Sequence, residues 1–431
     1  MYFSLIILIY KGNQGFLDQH LALRWINSNV EKFGGDPNRI TLLGYGSGAL
    51  YVSYHLVYKP GWTLFRNVIL QSLSPINLAK NHLSAKSATT RTNLFVDYLN
   101  CSSLKCLYEM DTADLIAKSR SFLYLNMSRQ SKLSTLFLKS TFQPVVDGTI
   151  FKESIIKSFR EGRFKKCFMI LGFNSNDGAS LIPLNYGLMQ DSLNGNTQWI
   201  DYNQMTDFIK KYYNFYPNWP LRNNEYFFET IINEYTKNVT THPSCFKALR
   251  RLLTDESSFC SILKQLEYLK RWSEEQQKIY FYIYEHRIST SKYPNWYGVV
   301  QGDELASLFA HSFNDEIKDS SNLKSVNPWL QTSSVSFSKL DKLVAKEIIT
   351  KWTNFLYNDN PNKATSKPFK LRDSIGKIWP EFKMNSDSNS MMYYSFKTTG
   401  TFSFKIFANQ TTSCNCWNKL IPLNVDKQLG N

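Results

Sequence analysis

The chain has few histidines and no long apolar run. Its six histidines are scattered, and each reads as a packing or surface residue rather than a catalytic one. The seven cysteines, at 101, 106, 167, 245, 260, 414 and 416, show no zinc spacing, so neither a metal nor a cofactor is expected. Met1-Tyr-Phe-Ser-Leu-Ile-Ile-Leu-Ile-Tyr10 is apolar but falls short of the roughly 20 residues that span a bilayer. It also lacks a basic region before it and a small-residue cleavage site after it, so it reads as a buried strand. On that ground the chain is expected to be N-terminally incomplete, with neither a signal peptide nor a transmembrane helix of its own. No basic run is interleaved with a recognition helix, which argues against a nucleic-acid partner. Internal repeats, low-complexity tracts and clear linkers are also missing, and residues 1–431 are expected to form a single domain.

What is present suits a large core. Apolar residues make up 43% of the chain and aromatic residues 15%, which disfavours disorder. The net charge is +15, spread along the sequence, and such a surface favours anionic partners such as acidic polysaccharides or acidic proteins.

The chain is organised around Arg39-Ile-Thr-Leu-Leu-Gly-Tyr-Gly-Ser-Gly-Ala-Leu-Tyr-Val-Ser-Tyr-His-Leu56, where Ile40 to Leu43 form a short apolar run after the turn signals Asp36-Pro37-Asn38. The run predicts a buried strand of a parallel sheet. Gly44, Gly46 and Gly48 then predict a tight corner, and Ala49 to Tyr58 a helix. Strand, sharp corner and helix are the setting of a nucleophile elbow, whose signature is G-x-S-x-G. Here the frame is centred on Gly46, and Ser47 stands one place late. The corner is present and its nucleophile is missing.

Along the rest of the chain, Leu17, Leu21, Trp25, Ile26 and Val30 recur at helical spacing between Phe16 and Phe33, and Gly34-Gly35 stops that helix. Val68 to Ser72 is the next strand, residues 76–140 read as helices with loops, and Phe142 to Gly148 as a short strand and turn. Cys167 to Gly172 is another buried strand, with the loop Asn174 to Gly178 at its C-terminal end, the edge where doubly wound sheets place their sites. Residues 201–275 read as helical, Ile279 to Glu285 as a central strand, and Glu304 to Phe309 as the start of a helix. Leu340, Leu343, Val344, Ile348, Trp352, Phe355 and Leu356 predict an amphipathic helix ended by Asn360-Pro361. Phe402 to Ile406 is expected as a late strand, Ser413 to Ile421 as a final helix, and 310–338 as a surface loop. The alternation predicts an α/β fold, a mostly parallel sheet with helices on both faces.

Cysteine pairs and the sequons at Asn126, Asn238 and Asn409 together favour an oxidising, secretory compartment, hence an extracellular or cell-surface location.

Three stretches resemble the carboxylesterase type B, or cholinesterase, family. They are Gly12-Asn-Gln-Gly-Phe-Leu-Asp-Gln-His-Leu-Ala-Leu-Arg-Trp-Ile26 with Phe33-Gly-Gly-Asp-Pro37, the glycine corner with Val52-Ser-Tyr-His-Leu56 and Gln71-Ser72, and Cys414-Asn-Cys-Trp-Asn-Lys-Leu-Ile-Pro422. The resemblance runs from about residue 11 to 424 and implies the α/β-hydrolase fold, here lacking the N-terminal strands and the glycine-rich loop that supplies half the oxyanion hole. The family's serine then falls on Gly46, its acid on Asp177 before Gly178, and its histidine on Gln301 within Gly298-Val-Val-Gln-Gly-Asp-Glu304. Glycine offers no attacking oxygen, and glutamine takes no proton at neutral pH. The backbone N–H of Ser47 is what remains of the oxyanion hole. By the same resemblance Cys101 pairs with Cys106, and Cys260 pairs with Cys414, with Cys416 a competitor.

These positions lead to the expectation of a catalytically inactive, cholinesterase-like protein that works by extracellular binding or cell adhesion. That is the manner of the family's neuroligins, neurotactin, gliotactin and glutactin, some of which also carry glycine at the elbow. The expected partner is an unidentified cell-surface or extracellular protein, and homodimerisation through the C-terminal helices is expected with it. The alternatives are an ester hydrolase with displaced catalytic residues or a nonfunctional fragment.

Overall fold

The computed structural model describes residues 6–7, 10–76, 83–101, 103–128, 143–182, 200–214, 225–237, 239, 242–274, 276–291, 293–309, 337–363, 378–385, 390–397, 403–407 and 411–420. The elements that position the site are, in order, helix α1 (Gln14–Asn29), strand β1 (Thr41–Tyr45), helix α2 (Ser47–Val57), strand β2 (Asn67–Gln71) and strand β3 (Met169–Asn174). Then come helices α3 (His242–Thr254) and α4 (Cys260–Arg271), strand β4 (Ile279–Glu285), helices α5 (Asp303–Leu308) and α6 (Lys339–Asn358), strands β5 (Ser390–Lys397) and β6 (Ser403–Phe407), and helix α7 (Thr411–Leu420).

The main sheet runs β6-β5-β4-β3-β2-β1 across. The pairings from β1 through β5 are parallel, and β6 closes the far side antiparallel to β5. Strands β2 to β5 alternate their side chains between two cores, as the period of two dictates. Leu70, Leu171, Phe173, Phe281 and Ile283 face the larger core with Phe16 and α2. Ile69, Ile170, Tyr280, Tyr282, Tyr394 and Phe396 face the other, against Val344, Ile348, Trp352 and Phe355 of α6. The fold is therefore α/β with helices on both faces, as the alternation of the sequence predicts.

Some expectations need correction. The run Ile40 to Leu43 was expected to be a buried strand. It becomes β1, which pairs with β2 alone among the described strands, and Leu43 is 39% exposed. The apolar stripe of α1 is also not inside. Leu21 is 61% exposed and Trp25 59%, whereas Phe16 and Leu23 carry the burial. Periodicity finds a helix but cannot say which neighbour covers its face. Strand β5 was not anticipated, although Met391-Met-Tyr-Tyr-Ser-Phe396 is apolar enough to have signalled it.

Other expectations fall partly outside the described residues. Of the strand expected over 3–10, Ile6–Ile7 and Tyr10–Lys11 pair antiparallel and the remaining residues are not described. The expected loop at 310–338 lies almost wholly outside, as do the sequons at Asn238 and Asn409, while Asn126 lies in the helix Thr112–Ser128.

Both disulfides are present as the resemblance implied. Cys101 joins Cys106, and Cys260 joins Cys414 across 154 residues. Cys414 rather than Cys416 makes the bond because it faces inward at 4% exposure on the side of α7 that carries Trp417. The pin is reinforced by Trp417 Nε1 donating to Tyr235 Oη at 2.8 Å and Ser413 Oγ donating to Asp255 Oδ2 at 3.0 Å.

Candidate functional site

The site is built where β1, β2 and β3 end together, since Tyr45 lies beside Gln71 and Gln71 beside Gly172 in the sheet. Gly46 follows β1 at φ 56°, ψ −121° and is the N-cap of α2. Residues with a Cβ seldom adopt that conformation, so the chain turns sharply from strand to helix at glycine. Its amide donates to Gln71 O at 2.8 Å, which ties the corner to the next strand. A Cβ placed on Gly46 would meet nothing nearer than Gln301 Nε2, at 3.5 Å. Gly46 and Gln301, distant in sequence, thus face each other across the corner. Ser47 is exposed as the first residue of α2.

Gln301 is carried by the segment entering α5, and that segment is stitched to the loop after β3. Asn176 N donates to Val299 O at 2.9 Å, Val299 N returns a bond to Asn176 Oδ1 at 3.1 Å, and Asn174 Nδ2 donates to Val300 O at 2.8 Å. Asp177 closes the same loop at 2% exposure. Its Oδ1 accepts from Asn174 N at 3.1 Å and its Oδ2 from Ser258 Oγ at 2.8 Å. Ser258 lies in the π-helical turn Asp255–Phe259 between α3 and α4, an irregular turn that aims its hydroxyl inward. The three positions singled out in the sequence are therefore drawn to one edge of the sheet.

Sequence reasoning did not foresee a group of buried carboxyls at this edge. Glu304, on α5, is 0% exposed and accepts from Asn174 Nδ2 and, at 3.5 Å, from Gln71 Nε2. Burial, then the charge of Glu304, pushes Asp177 up to about 8. Burial pushes Glu304 up to about 7, and it pushes Asp303 to about 7 against the pull of Arg287. The side chain opposite Gly46 is the amide of Gln301, which carries no titratable nitrogen. The adjacent acids Asp303-Glu304 were legible as a helix start, but their burial was not.

The histidines lie elsewhere. His55 packs on Phe16 with ring centroids 4.5 Å apart and meets Gln19 Oε1 at 3.2 Å. Burial, then the neighbouring His20, lowers it to about 4. His286 Nε2 meets Asp341 Oδ1 at 2.7 Å, and Asp341 forms the capping box of α6 with Ser338. His20 packs edge-on against Tyr58, and His242 begins α3. His82 and His311 lie outside the described residues.

Mouse cholinesterase is 24% identical over 422 residues, covering 95% of this chain and 60% of the relative. An acetylcholinesterase of Bungarus fasciatus is 26% identical over 419 residues, with 95% of this chain and 60% of the relative covered. The chain thus spans less than two thirds of the length of these relatives. The carboxylesterase family is matched over residues 3–417, nearly the whole sequence, and the strand-corner-helix at Gly46 sits in an α/β-hydrolase sheet. The chain belongs to the carboxylesterase family.

Proposed function

We propose that this chain is a non-catalytic member of the carboxylesterase family that acts by binding a partner outside the cell, in the manner of the family's adhesion branch. The observation that carries the reading is the pairing of Gly46 with Gln301 Nε2, at 3.5 Å from the place of the missing Cβ. A nucleophile there would need a hydroxyl or thiol, and a base beside it would need a titratable nitrogen. Glycine and glutamine supply neither. Asp177, whose triad role would be to orient a histidine, is instead buried against Ser258.

The disulfides Cys101–Cys106 and Cys260–Cys414 support an oxidising compartment. No helix among the described residues is long and apolar enough to cross a membrane. The +15 charge supports an acidic partner surface. Homodimerisation through α6 and α7 belongs to the same reading, and Leu340 and Leu356, each 41% exposed on α6, support it.

The test is hydrolysis of p-nitrophenyl acetate by the purified chain, beside Ser47→Ala. The expected result is no turnover above buffer from a folded, monodisperse sample. Turnover that Ser47→Ala abolishes would overturn the reading and assign the nucleophile to the next residue along.

A further inference from the structure

A cleft of about 340 Å³ opens at the C-terminal ends of β3 and β4, lined by residues other than Gly46, Asp177 and Gln301. That volume is in the range of sites for small organic molecules, about 300–1,000 Å³. Its wall is apolar and aromatic: Phe173, Phe259, Ile283 and Tyr393, each 3% exposed. Its rim is cationic, with Lys247, Arg250 and Arg251 of α3. Their i, i+3, i+4 spacing puts all three on one helix face.

The charges of this cleft are unequally satisfied. Arg251 lies 3.6 Å from Asp255, and Asp255 also accepts from Tyr235 Oη at 2.8 Å. Glu285 accepts from Ser395 Oγ. Arg250 is half-buried, donates Nη1 to the Trp296 carbonyl at 2.7 Å, and forms no ion pair among the described residues. Lys247, exposed one turn earlier, likewise forms none among them. A guanidinium moved out of water without a counter-charge is costly, and burial does lower Arg250 from its ordinary value. Its remaining N–H donors form the fork that grips a carboxylate from two sides.

We propose that this cleft binds the carboxylate of a small aromatic acid, gripped by Arg250 and Lys247, with the ring against Phe173, Ile283 and Tyr393. The site stands apart from the reading of Gly46, and the ester assay and the binding assay can fail separately.

A free acid and a peptide ending in an aromatic residue present the same chemistry. Calorimetric titration of the whole chain with 3-phenylpropionate, its amide 3-phenylpropanamide, and N-acetyl-Gly-Gly-Phe separates them. Binding of the acid in the region of 1 mM or tighter is expected, about tenfold tighter than the amide and weaker at high salt. Binding of the tripeptide alone supports the same grip and assigns the carboxylate to a peptide terminus. Arg250→Gln should lose the binding, but it also frees the Trp296 carbonyl and could unfold the segment. Lys247→Glu, on an exposed position, keeps the fold and should weaken the acid at least tenfold. Binding of acid and amide with equal affinity, no binding of either carboxylate, or an unchanged affinity of the bound carboxylate in Lys247→Glu overturns the proposal.

Discussion

Gly46 and Gly44 occupy the same corner, yet a side chain should affect them very differently. A Cβ on Gly46 has room, with its nearest neighbour 3.5 Å away, and the cost of Gly46→Ser is the positive-φ backbone, about 1–3 kcal/mol. A Cβ on Gly44 would sit 2.3 Å from Gly48 O, so Gly44→Ala must displace α2 from β1. Urea denaturation should show a modest loss for the first and a clearly larger loss, or no folded protein, for the second. Equal losses would contradict the close approach of strand and helix. The buried carboxyls give a second prediction. Asp177, Asp303 and Glu304 have folded values raised above the ordinary carboxylate range of about 4, so folding favours their protonated forms. Their contribution is full below about pH 4 and is lost as the pH rises through the folded values, about 7 to 8. The melting temperature should fall across that window, and Asp177→Asn should flatten the fall. A slope unchanged in Asp177→Asn would show that its carboxyl is ionised in the folded protein. Gly46 and Gln301 were legible as types and positions. That they face each other, and that Asp177 is shielded by Ser258, depended on contacts across long stretches of chain.

Among elements, the disulfides differ most in what they hold. Cys260–Cys414 closes a separation of 154 residues, and the loop-entropy argument gives about 5 kcal/mol for it, against about 2 kcal/mol for Cys101–Cys106 at a separation of 5. Cys414→Ser should therefore destabilise the chain more than Cys106→Ser in chemical denaturation under non-reducing conditions. The reverse order would mean that α7 is held by Trp417 and Ser413 rather than by the covalent link. Helices α1, α2 and α6 and strands β2, β3 and β4 follow the sequence closely, because their apolar spacing repeats over several turns or residues. The π-helical turn Asp255–Phe259 left no such trace. It is a local widening between α3 and α4 whose reason is tertiary, the reach of Ser258 to Asp177.

Among the described residues, exposed apolar side chains include several on α1 and on α6. Leu21, Trp25 and Phe33 stand out on and just after α1, with Trp25 and Phe33 ring centroids 6.1 Å apart. Leu340 and Leu356 stand out on α6. If α6 and α7 form the dimer of the proposed function, sedimentation should find a dimer at micromolar concentration, and Leu340→Glu with Leu356→Glu should convert it to a folded monomer. A dimer that survives both substitutions would move the interface elsewhere, with the α1 surface the next to examine.

Most of the strands and helices, the resemblance to the family, the glycine corner and the residue types at 46 and 301 were legible in the sequence alone. They rest on short-range spacing and on motifs written in adjacent residues. The tertiary structure decided what depends on neighbours from distant parts of the chain. Among these are the exposure of the α1 stripe and of β1, the choice of Cys414 over Cys416, and the burial of Asp177, Asp303 and Glu304. The place of Arg250 beside an aromatic wall, with no ion pair among the described residues, belongs with them. Burial is a property of what surrounds a residue, and a linear pattern does not specify which surfaces will meet.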